Sequence, residues 1–255
     1  VQLFEKEGRN VVLTKYGKSF LKDVEKILGI LDYSVSNLQM SGSGEGTIDI
    51  GFVRILGTTF LPKLMRGFLA ENPDKDINFR LHNAGGLSSN ILEALKQRKY
   101  DIAFCSKYTN DPTIDFVPVA TQQMVVAVPL DHPLAERDSV SLKETLPYPH
   151  IMFSRKSGFS SEIRNLFDKI GEFPEVNLEA EEDQVIAGMV AENFGIAIMP
   201  NIHILDTLPI KKLQITEPLC QHTYYMASLK DSYVAPLVTN FKNYIIRHPQ
   251  SNMPL

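Results

Sequence analysis

Short polar side chains follow several apolar runs, at points where helices are predicted to begin. Thr58 follows the first of these runs, and Ser88 and Ser106 follow the next two. Ser160 follows a run in the second half of the chain. A helix N-terminus presents unpaired backbone N–H groups and a partial positive charge, so it favours carboxylates, phosphates or sulfates. These residues therefore predict the binding of a small anion, to which Arg54 could contribute charge.

Helix capping alone would also explain any single one of these residues. Ser and Thr are common N-cap residues whether or not a ligand is present. An isolated basic residue is more often a solvated surface residue, and this holds for Arg54, Arg155 and Lys156 alike. The prediction of a ligand site therefore depends on several of these segments converging on one cleft.

Catalytic and metal-binding interpretations have less support in the sequence. The six histidines are scattered, none has a Glu or His at metal-ligand spacing, and no base–nucleophile pair can be named. The acidic run at 179–183 could hold a metal, although acidic residues before a helix ordinarily complement the helix dipole. Cys105 could be redox-active, but a buried, inert thiol is the commoner case. We therefore expect neither an enzyme nor a bound cofactor or metal.

The composition is that of an ordinary globular protein. The 255 residues, 44% of them hydrophobic, suit one large domain or two small ones. No apolar run reaches the roughly 18 residues that span a bilayer, and two cysteines are too few for a disulfide framework. Both observations predict a cytoplasmic protein without a membrane contact. The net charge of −4 argues against the whole chain attracting nucleic acid through its overall field.

Strands alternate with amphipathic helices after residue 46, which predicts parallel βαβ units. The first set has strands at Thr47–Val53, Ile77–Leu81 and Asp101–Cys105, and helices at Thr59–Glu71 and Ser88–Gln97. The second set has strands at Met124–Pro129, His150–Phe153, Val176–Glu179 and Ile196–Met199, with helices at Ser161–Ile170 and Asp183–Asn193. A strand at Tyr224–Leu229 and a helix at Val234–Arg247 close the chain.

Two similar βα sets predict two small lobes. Their connections are expected to cross near Val119–Gln123 and Gln221–Tyr225. Two lobes joined in this way form a cleft, and α/β proteins bind ligands outside the carboxyl ends of their strands. The polar residues that follow the strands are thus predicted to line the cleft.

The first forty residues predict a short basic turn at Lys6–Val12 and then a self-associating helix. Apolar residues separated by three and four positions form the stripe of a two-helix seam. Because an isolated short helix with one apolar stripe is only marginally stable, it needs a partner to pack on. A glycine-rich hinge at Ser41–Gly46 is expected to end it. The seam residues are Leu21, Val24, Leu28, Leu31, Val35 and Leu38.

The stretch Leu3–Gly17 resembles the wing and following turn of LysR-type transcriptional regulators. It has Leu-Phe, a basic residue two positions on, an Arg, an apolar residue, then Leu-Thr and a Gly three residues later. Lys6 stands where an Arg is commoner, and Tyr16 stands where the family prefers a small residue. Further stretches extend the resemblance over nearly the whole chain: Gly46–Gly51, Pro73, Leu92–Leu95, Tyr100–Phe104, Val126–Pro133 and Val190–Pro200.

This resemblance implies an α/β fold with an effector-binding domain of two Rossmann-like subdomains, similar to type 2 periplasmic binding proteins. A dimerising linker helix and a remnant of a winged helix-turn-helix precede that domain, and we expect the chain to be a fragment without its recognition helix. The expected divisions are a wing remnant at 1–16, the linker helix and hinge at 17–45, effector subdomain I at 46–121 plus 223–248, and effector subdomain II at 122–222.

The resemblance also implies where the partners bind. Lys6, Arg9 and Thr14 are expected at promoter DNA, where contacts to phosphates position the protein and carry little sequence information. The inducer is expected between the subdomains. The matching positions are Arg54, Ile55, Ser88, Ser106, Gly158, Phe159 and Ser160. Thr58 is expected at the same site from its position after the first strand. Ile55 stands where many relatives have a small polar residue.

The sequence thus predicts a ligand-responsive, DNA-binding transcriptional regulator that acts as a homodimer or homotetramer. Its expected partners are promoter DNA, a small anionic effector and RNA polymerase. A solute-binding receptor of the type 2 periplasmic kind is the alternative, because it shares the two-lobed cleft. A signal peptide or a lipid-anchored Cys would favour the receptor, and an upstream helix-turn-helix would exclude it. Turnover of a bound metabolite would indicate an enzyme.

Overall fold

The computed structural model of the chain describes residues 1–107, 109–155 and 157–248. Its N-terminus is an antiparallel hairpin of β1 (Phe4–Glu7) and β2 (Asn10–Leu13). Gly8 begins the two-residue loop with a φ of 63°, a left-handed conformation that glycine adopts without steric penalty. The basic turn predicted from the sequence lies at the tip of this hairpin.

One long helix, α1 (Lys15–Ser43), follows the hairpin. Thr14 is its N-cap, because Thr14 Oγ1 accepts a hydrogen bond from the Gly17 N–H at 3.0 Å. The same hydroxyl donates to the Gln2 carbonyl at 2.9 Å. A Cβ at residue 17 would lie 2.1 Å from the Leu3 carbonyl oxygen, so only glycine lets the hairpin pack this closely on the helix.

The hinge predicted at Ser41–Gly46 begins too early. The helix continues through Gly42 and Ser43 and ends at Gly44, which has a φ of 84°. The Gly44 N–H donates to the Met40 carbonyl, as in the glycine caps that commonly end helices. An isolated glycine inside a helix costs only about 1 kcal/mol relative to alanine, so Gly42 does not stop it.

Strands and helices alternate after this cap. The first six of these elements are β3 (Gly46–Phe52), α2 (Phe60–Ala70), β4 (Ile77–His82), α3 (Ser88–Lys96), β5 (Ile102–Ser106) and β6 (Ile114–Pro129). They continue with β7 (Ser139–Val140), α4 (Leu142–Thr145), β8 (His150–Phe153), α5 (Gly158–Ile170), β9 (Val176–Ala180) and α6 (Asp183–Ala191). The last are β10 (Ala197–Pro200), β11 (Ile210–Ile215), β12 (Gln221–Leu229) and α7 (Pro236–Arg247).

The first lobe is built on the strand order β4-β3-β5-β12-β6. In it β3 is parallel to β4 and β5, whereas β12 is antiparallel to both of its neighbours. Helices α2, α3 and α7 contribute buried residues to its core. That core contains Ile48, Phe60, Ile91, Phe104 and Phe241 among its fully buried side chains.

The second lobe uses the other half of β6. From Met124 onward β6 pairs with β10 and β11, and β11 in turn pairs with β7. Strand β8 lies parallel to β9 and is bridged to the chain just before β10. A separate core fills this lobe, with Val126, Phe153, Phe167 and Ile186 fully buried. The two cores and the mixed α/β sheets agree with the predicted fold class.

Several elements differ from the sequence-based expectation. Strand β6 starts at Ile114 instead of Met124, because residues 114–123 pair with β12 along the crossing. Helix α5 starts at Gly158 instead of Ser161, because Ser157 is its N-cap. Strands β7 and β11 and helix α4 were not predicted. The buried Ile210 and Leu213 of β11 are three residues apart, which hides the alternation typical of a strand.

Among the described residues, no helix is both long enough and apolar enough to cross a lipid bilayer.

The packing around β10 predicts a large difference between two glycines. Gly195 has a φ of 147°, and a Cβ there would lie 2.6 Å from the Pro149 carbonyl oxygen. Gly195→Ala should therefore lower the free energy of unfolding by about 1–3 kcal/mol. Gly188→Ala, inside α6 with open space around it, should instead raise it by about 0.5–1 kcal/mol.

Urea denaturation of both variants beside the wild type measures these changes. Equal destabilisation by the two substitutions would contradict the packing described for Gly195.

Candidate functional site

A cavity of about 50 Å³ lies between the lobes, where β3, β5 and β8 end and α5 begins. Ligand pockets are typically about 300–1,000 Å³, so the space enclosed in this arrangement of the lobes is small for a ligand. The cavity lies between the two lobes, at the position predicted for the cleft. Its wall includes six residues predicted to bind the inducer: Arg54, Ile55, Ser88, Ser106, Gly158 and Phe159.

Two buried serines form the first-lobe side of the cavity. Ser88 opens α3 and Ser106 ends β5, and both are almost fully buried. The Ser106 N–H donates to Ser88 Oγ at 3.1 Å. This bond uses one lone pair of Ser88 and leaves its hydroxyl proton available as a donor. The pair can therefore donate a hydrogen bond to an acceptor group in the cavity.

The N-terminus of α5 faces this serine pair from the second lobe. A Cβ on Gly158 would lie 2.8 Å from Ser106 Oγ and 3.4 Å from Ser88 Oγ, so glycine is needed for the close approach. Ser157 caps the helix, since its Oγ accepts from the Phe159 N–H at 3.3 Å. The partial positive charge of a 13-residue helix thus points at the two serines.

Aromatic rings form the base of the cavity. The Phe159 ring lies 5.0 Å from Phe153 and 4.5 Å from His222, measured between ring centroids. Tyr224 is fully buried, and this burial raises its pKa well above the ordinary value, so it stays neutral. Its hydroxyl donates to Gln122 Oε1 at 3.1 Å. Ile55 packs against both cores.

The mouth of the cavity carries a salt bridge between the lobes. Arg54 Nη1 lies 2.9 Å from Glu182 Oε2, and Nη2 lies 3.1 Å from the other carboxylate oxygen. Such a two-point pair fixes geometry, although partial exposure limits its energy to about 0–1 kcal/mol. Arg54 is thus engaged by a carboxylate of the protein. Burial raises the pKa of the neighbouring Asp183 carboxyl above its ordinary value.

A buried histidine that the sequence reasoning missed completes the site. His222 Nε2 lies 2.8 Å from Ser106 Oγ, and His222 Nδ1 contacts Glu162 Oε2. The sequence contained one signal for it. His222 lies two residues before the buried Tyr224 and so falls on the same face of the strand. The predicted strand started at Tyr224 and left His222 outside.

Two of the predicted inducer residues lie outside the cavity wall. The Thr58 hydroxyl donates to the Ile55 carbonyl at 3.4 Å on the protein surface. Ser160 is buried one turn into α5, where its Oγ accepts from Arg164 Nε at 3.4 Å. Of the two other basic candidates, Arg155 is exposed, and Lys156 lies outside the described residues.

The acidic run at 179–183 does not gather into a metal site. Glu179 forms an ion pair with Arg164 at 2.8 Å, and Glu182 pairs with Arg54. Within the described ranges, no group of three or more His, Cys, Asp or Glu side chains is placed to hold a metal ion.

The N-terminal residues occupy two separate surfaces. Lys6 and Arg9 are exposed on the hairpin, whereas the Thr14 hydroxyl caps α1. Five of the six seam side chains of α1 are exposed in the single chain, from Leu21 at 41% to Leu38 at 74%, whereas Val24 is partly buried. Phe20 and Ile27 widen the same face, and both are more than half exposed. An apolar stripe this wide is unusual on the free surface of a monomer.

Sequence comparison relates the chain to known regulators. Residues 41–250 match the family described as the LysR substrate binding domain. The HTH-type transcriptional regulator YybE of Bacillus subtilis is 31% identical over 97% of this chain and 84% of its own length. The transcriptional dual regulator GltC of the same organism is 28% identical over 97% of this chain and 82% of its own.

Structural comparison gives the same relationship. The effector-binding domain of QuiR, solved in complex with shikimate, superimposes with a TM-score of 0.77 and 37% sequence identity. The match covers 81% of this chain and 98% of that domain. A crystal structure of a full-length BenM variant is 25% identical and covers 97% of this chain and 82% of its own, with a TM-score of 0.65.

Both cysteines are predicted to be unreactive in the folded protein. Burial raises the pKa of the Cys105 thiol to about 12. The pKa of the Cys220 thiol is also raised to about 12, mainly by burial and to a lesser extent by the negative charge of Glu162. Since the thiolate is the nucleophile, iodoacetamide at about pH 8 should leave both thiols unlabelled. Mass spectrometry should find both labelled after denaturation. Rapid labelling of Cys105 in the native protein would restore a redox role for it.

Proposed function

Because this chain belongs to the LysR family of transcriptional regulators, we propose that it senses a small hydroxylated carboxylate in the cleft between its lobes. QuiR, bound to shikimate, exemplifies this chemical class. The observation that carries the proposal is the approach of the α5 N-terminus to the Ser88–Ser106 pair. Hydroxyl donors and a helix dipole together favour a carboxylate.

Another part of the cavity wall suits the other end of such a ligand. Glu182 and Asp183 present carboxylate oxygens, which are acceptors and favour hydroxyl groups as donors. A ligand with an anion at one end and hydroxyls at the other matches both walls. A ligand with two carboxylates would place a negative charge against Glu182 and Asp183.

The response to the effector follows from the arrangement of the lobes. We place effector subdomain I at 46–121 plus 223–248 and subdomain II at 122–222, because the two cores separate at these limits. An effector shifts the equilibrium between lobe arrangements only if it binds one of them more tightly. The Arg54–Glu182 salt bridge spans the mouth, so parting the lobes to admit a ligand breaks it.

DNA binding is assigned to the N-terminal part of the regulator. Promoter DNA is bound by a helix-turn-helix N-terminal to the hairpin, with Lys6 and Arg9 of the hairpin at the backbone. Thr14 acts here by capping α1. The exposed α1 stripe pairs two chains, and two such dimers can form a tetramer that also meets RNA polymerase. A protein with these partners works in the cytoplasm.

The catalytic and receptor alternatives have less support. The Ser106–His222–Glu162 chain has the order of a serine hydrolase triad. The Ser106 N–H, however, already donates to Ser88, and the Phe159 N–H donates to Ser157, so neither is free to stabilise an oxyanion. Bound shikimate should therefore be recovered unchanged. The matched relatives are transcriptional regulators, which also favours this function over a solute-binding receptor.

Effector binding can be tested by thermal unfolding with shikimate. At about one hundred times its Kd, a ligand of the folded state stabilises by about 2.7 kcal/mol and raises the melting midpoint. Ser88→Ala removes a donor to the carboxylate and should weaken binding at least about tenfold. Gly158→Ala should abolish it, because its Cβ would occupy the space beside Ser106 Oγ.

Ser139→Ala, an exposed serine on β7, is the control and should behave as the wild type. No stabilisation of the wild type by shikimate would overturn the proposed effector class. An unchanged response in Ser88→Ala and Gly158→Ala would move the binding site elsewhere.

Pairing through α1 can be tested by introducing charge into the seam. Leu28 and Leu31 are 52% and 56% exposed in the single chain, so Leu28→Asp with Leu31→Asp should leave its fold intact. Burying two carboxylates in the dimer seam is strongly unfavourable, and sedimentation should show monomers. Ile30→Asp, on the same helix but off the seam, should leave the oligomer unchanged. An intact dimer in the double variant would show that α1 does not form the interface.

A further inference from the structure

A series of three hydrogen-bonded polar side chains leads from the cavity wall to a partly exposed carboxylate. Ser106 ends β5 in the first lobe, His222 lies on the crossing strand β12, and Glu162 belongs to α5 in the second lobe. His222 uses both ring nitrogens, one toward Ser106 Oγ at 2.8 Å and one toward Glu162. Its side chain is only 4% exposed, so it cannot exchange these partners for water.

Counting donors and acceptors leaves two arrangements of the protons on these three side chains. A carboxylate only accepts, so the Nδ1 of His222 carries a proton and donates to Glu162. If Nε2 is unprotonated, it accepts the Ser106 proton, and Ser106 can then only accept from a ligand. If Nε2 is protonated, it donates to Ser106 Oγ, and the Ser106 hydroxyl proton becomes available to the cavity.

Charges of both signs lie around His222. Glu162 contacts the ring from α5 and favours a positive imidazole, whereas Lys107, after β5, lines a surface groove together with His222 and Glu162 and opposes it. On β12, Tyr224 stacks edge-on against the imidazole at 4.6 Å and stays neutral. Cys220, on the segment before β12, is also a neutral thiol. A ligand carboxylate at Ser106 would add a second negative charge on the other side of the ring.

We propose that His222, held by Glu162, sets the hydrogen-bonding direction of Ser106, so that a carboxylate effector binds together with one proton. The proton enters at Nε2 of His222 and no covalent bond to the effector forms. This inference rests on the proposed effector site. Because binding takes up a proton, the affinity for the carboxylate weakens as the pH rises. His222 is therefore a positioning residue that acts on the ligand through Ser106.

The test is isothermal titration calorimetry of the folded chain with shikimate, and with quinate as a second carboxylate probe. Titrations near neutral pH in buffers with different ionisation enthalpies give the number of protons taken up. The wild type should take up a measurable fraction of a proton on binding near neutral pH, and its Kd should increase as the pH is raised. His222→Gln keeps a polar side chain but cannot be charged, so proton uptake should vanish and the affinity should fall about tenfold.

Two further variants make the result specific. Glu162→Gln, at a partly exposed site, removes the charge that stabilises the imidazolium and should reduce proton uptake without altering the ring. His82→Gln is the matched control, since His82 forms a similar 2.8 Å contact with Asp49 away from the cleft. It should retain the proton uptake of the wild type.

Each outcome decides the matter. Binding by the wild type without proton uptake would overturn the role of His222 and leave the effector site standing. Equal uptake in wild type and His222→Gln would do the same. If neither carboxylate binds the wild type, the effector class fails, and the inference fails with it. If His222→Gln does not fold, Glu162→Gln decides by its proton uptake alone.

Discussion

The pairing of β6 with β12 is the interaction on which the rest of the structure depends. Their antiparallel ladder runs from Gln123 opposite Gln221 to Ile114 opposite Leu229. It completes the first sheet, and β6 then continues without a break into the second. A register shift interrupts the ladder between Tyr224 and Tyr225, and a bulge of this kind bends and twists a strand. The relative position of the two lobes is therefore set at this crossing.

The candidate site inherits its geometry from that crossing. Neither lobe contains the site alone, because the serines come from the first lobe and Gly158 from the second. His222 lies on the crossing strand itself, beside the register shift, and touches residues of both lobes. A change in the angle between the lobes must alter the Ser106–His222–Glu162 chain, and a ligand that fixes this chain must restrict the angle. Binding and lobe arrangement are thus coupled through one set of contacts.

Local patterns in the sequence predicted most of the fold. The apolar stripe of α1 and the strand of β3 are visible in short windows, because each depends on spacing along the chain. Strand β11 was missed because its buried residues do not alternate regularly. The start of β6 was missed because residues 114–123 are held by a partner more than ninety residues away in the sequence. The cleft serines were found by their position after strands, but their hydrogen bond was not.

Charge pairing across the lobes was the least predictable part of the site. Arg54 was predicted to contribute positive charge to a ligand site, but in the structure its guanidinium pairs with Glu182, which is 128 residues further along the chain. His222 and Glu162 could be paired only after folding brought β12 beside α5. Thr58 and Ser160 have the right type and spacing, yet Thr58 lies on the surface and Ser160 points at Arg164. Residue type predicts which chemistry is available, whereas the direction in which each side chain points depends on the tertiary fold.

The close packing of the hairpin on α1 has a mechanical consequence. Thr14 and Gly17 tie the hairpin to the start of the helix, so the two move as one stiff body. A helix of 29 residues is about 44 Å long. Tilting such a rod by about 5° at its far end displaces the hairpin by about 4 Å, more than the roughly 3.4 Å rise between base pairs. A small rotation at the C-terminal end of α1 thereby moves the hairpin by a distance comparable to the spacing between successive base pairs.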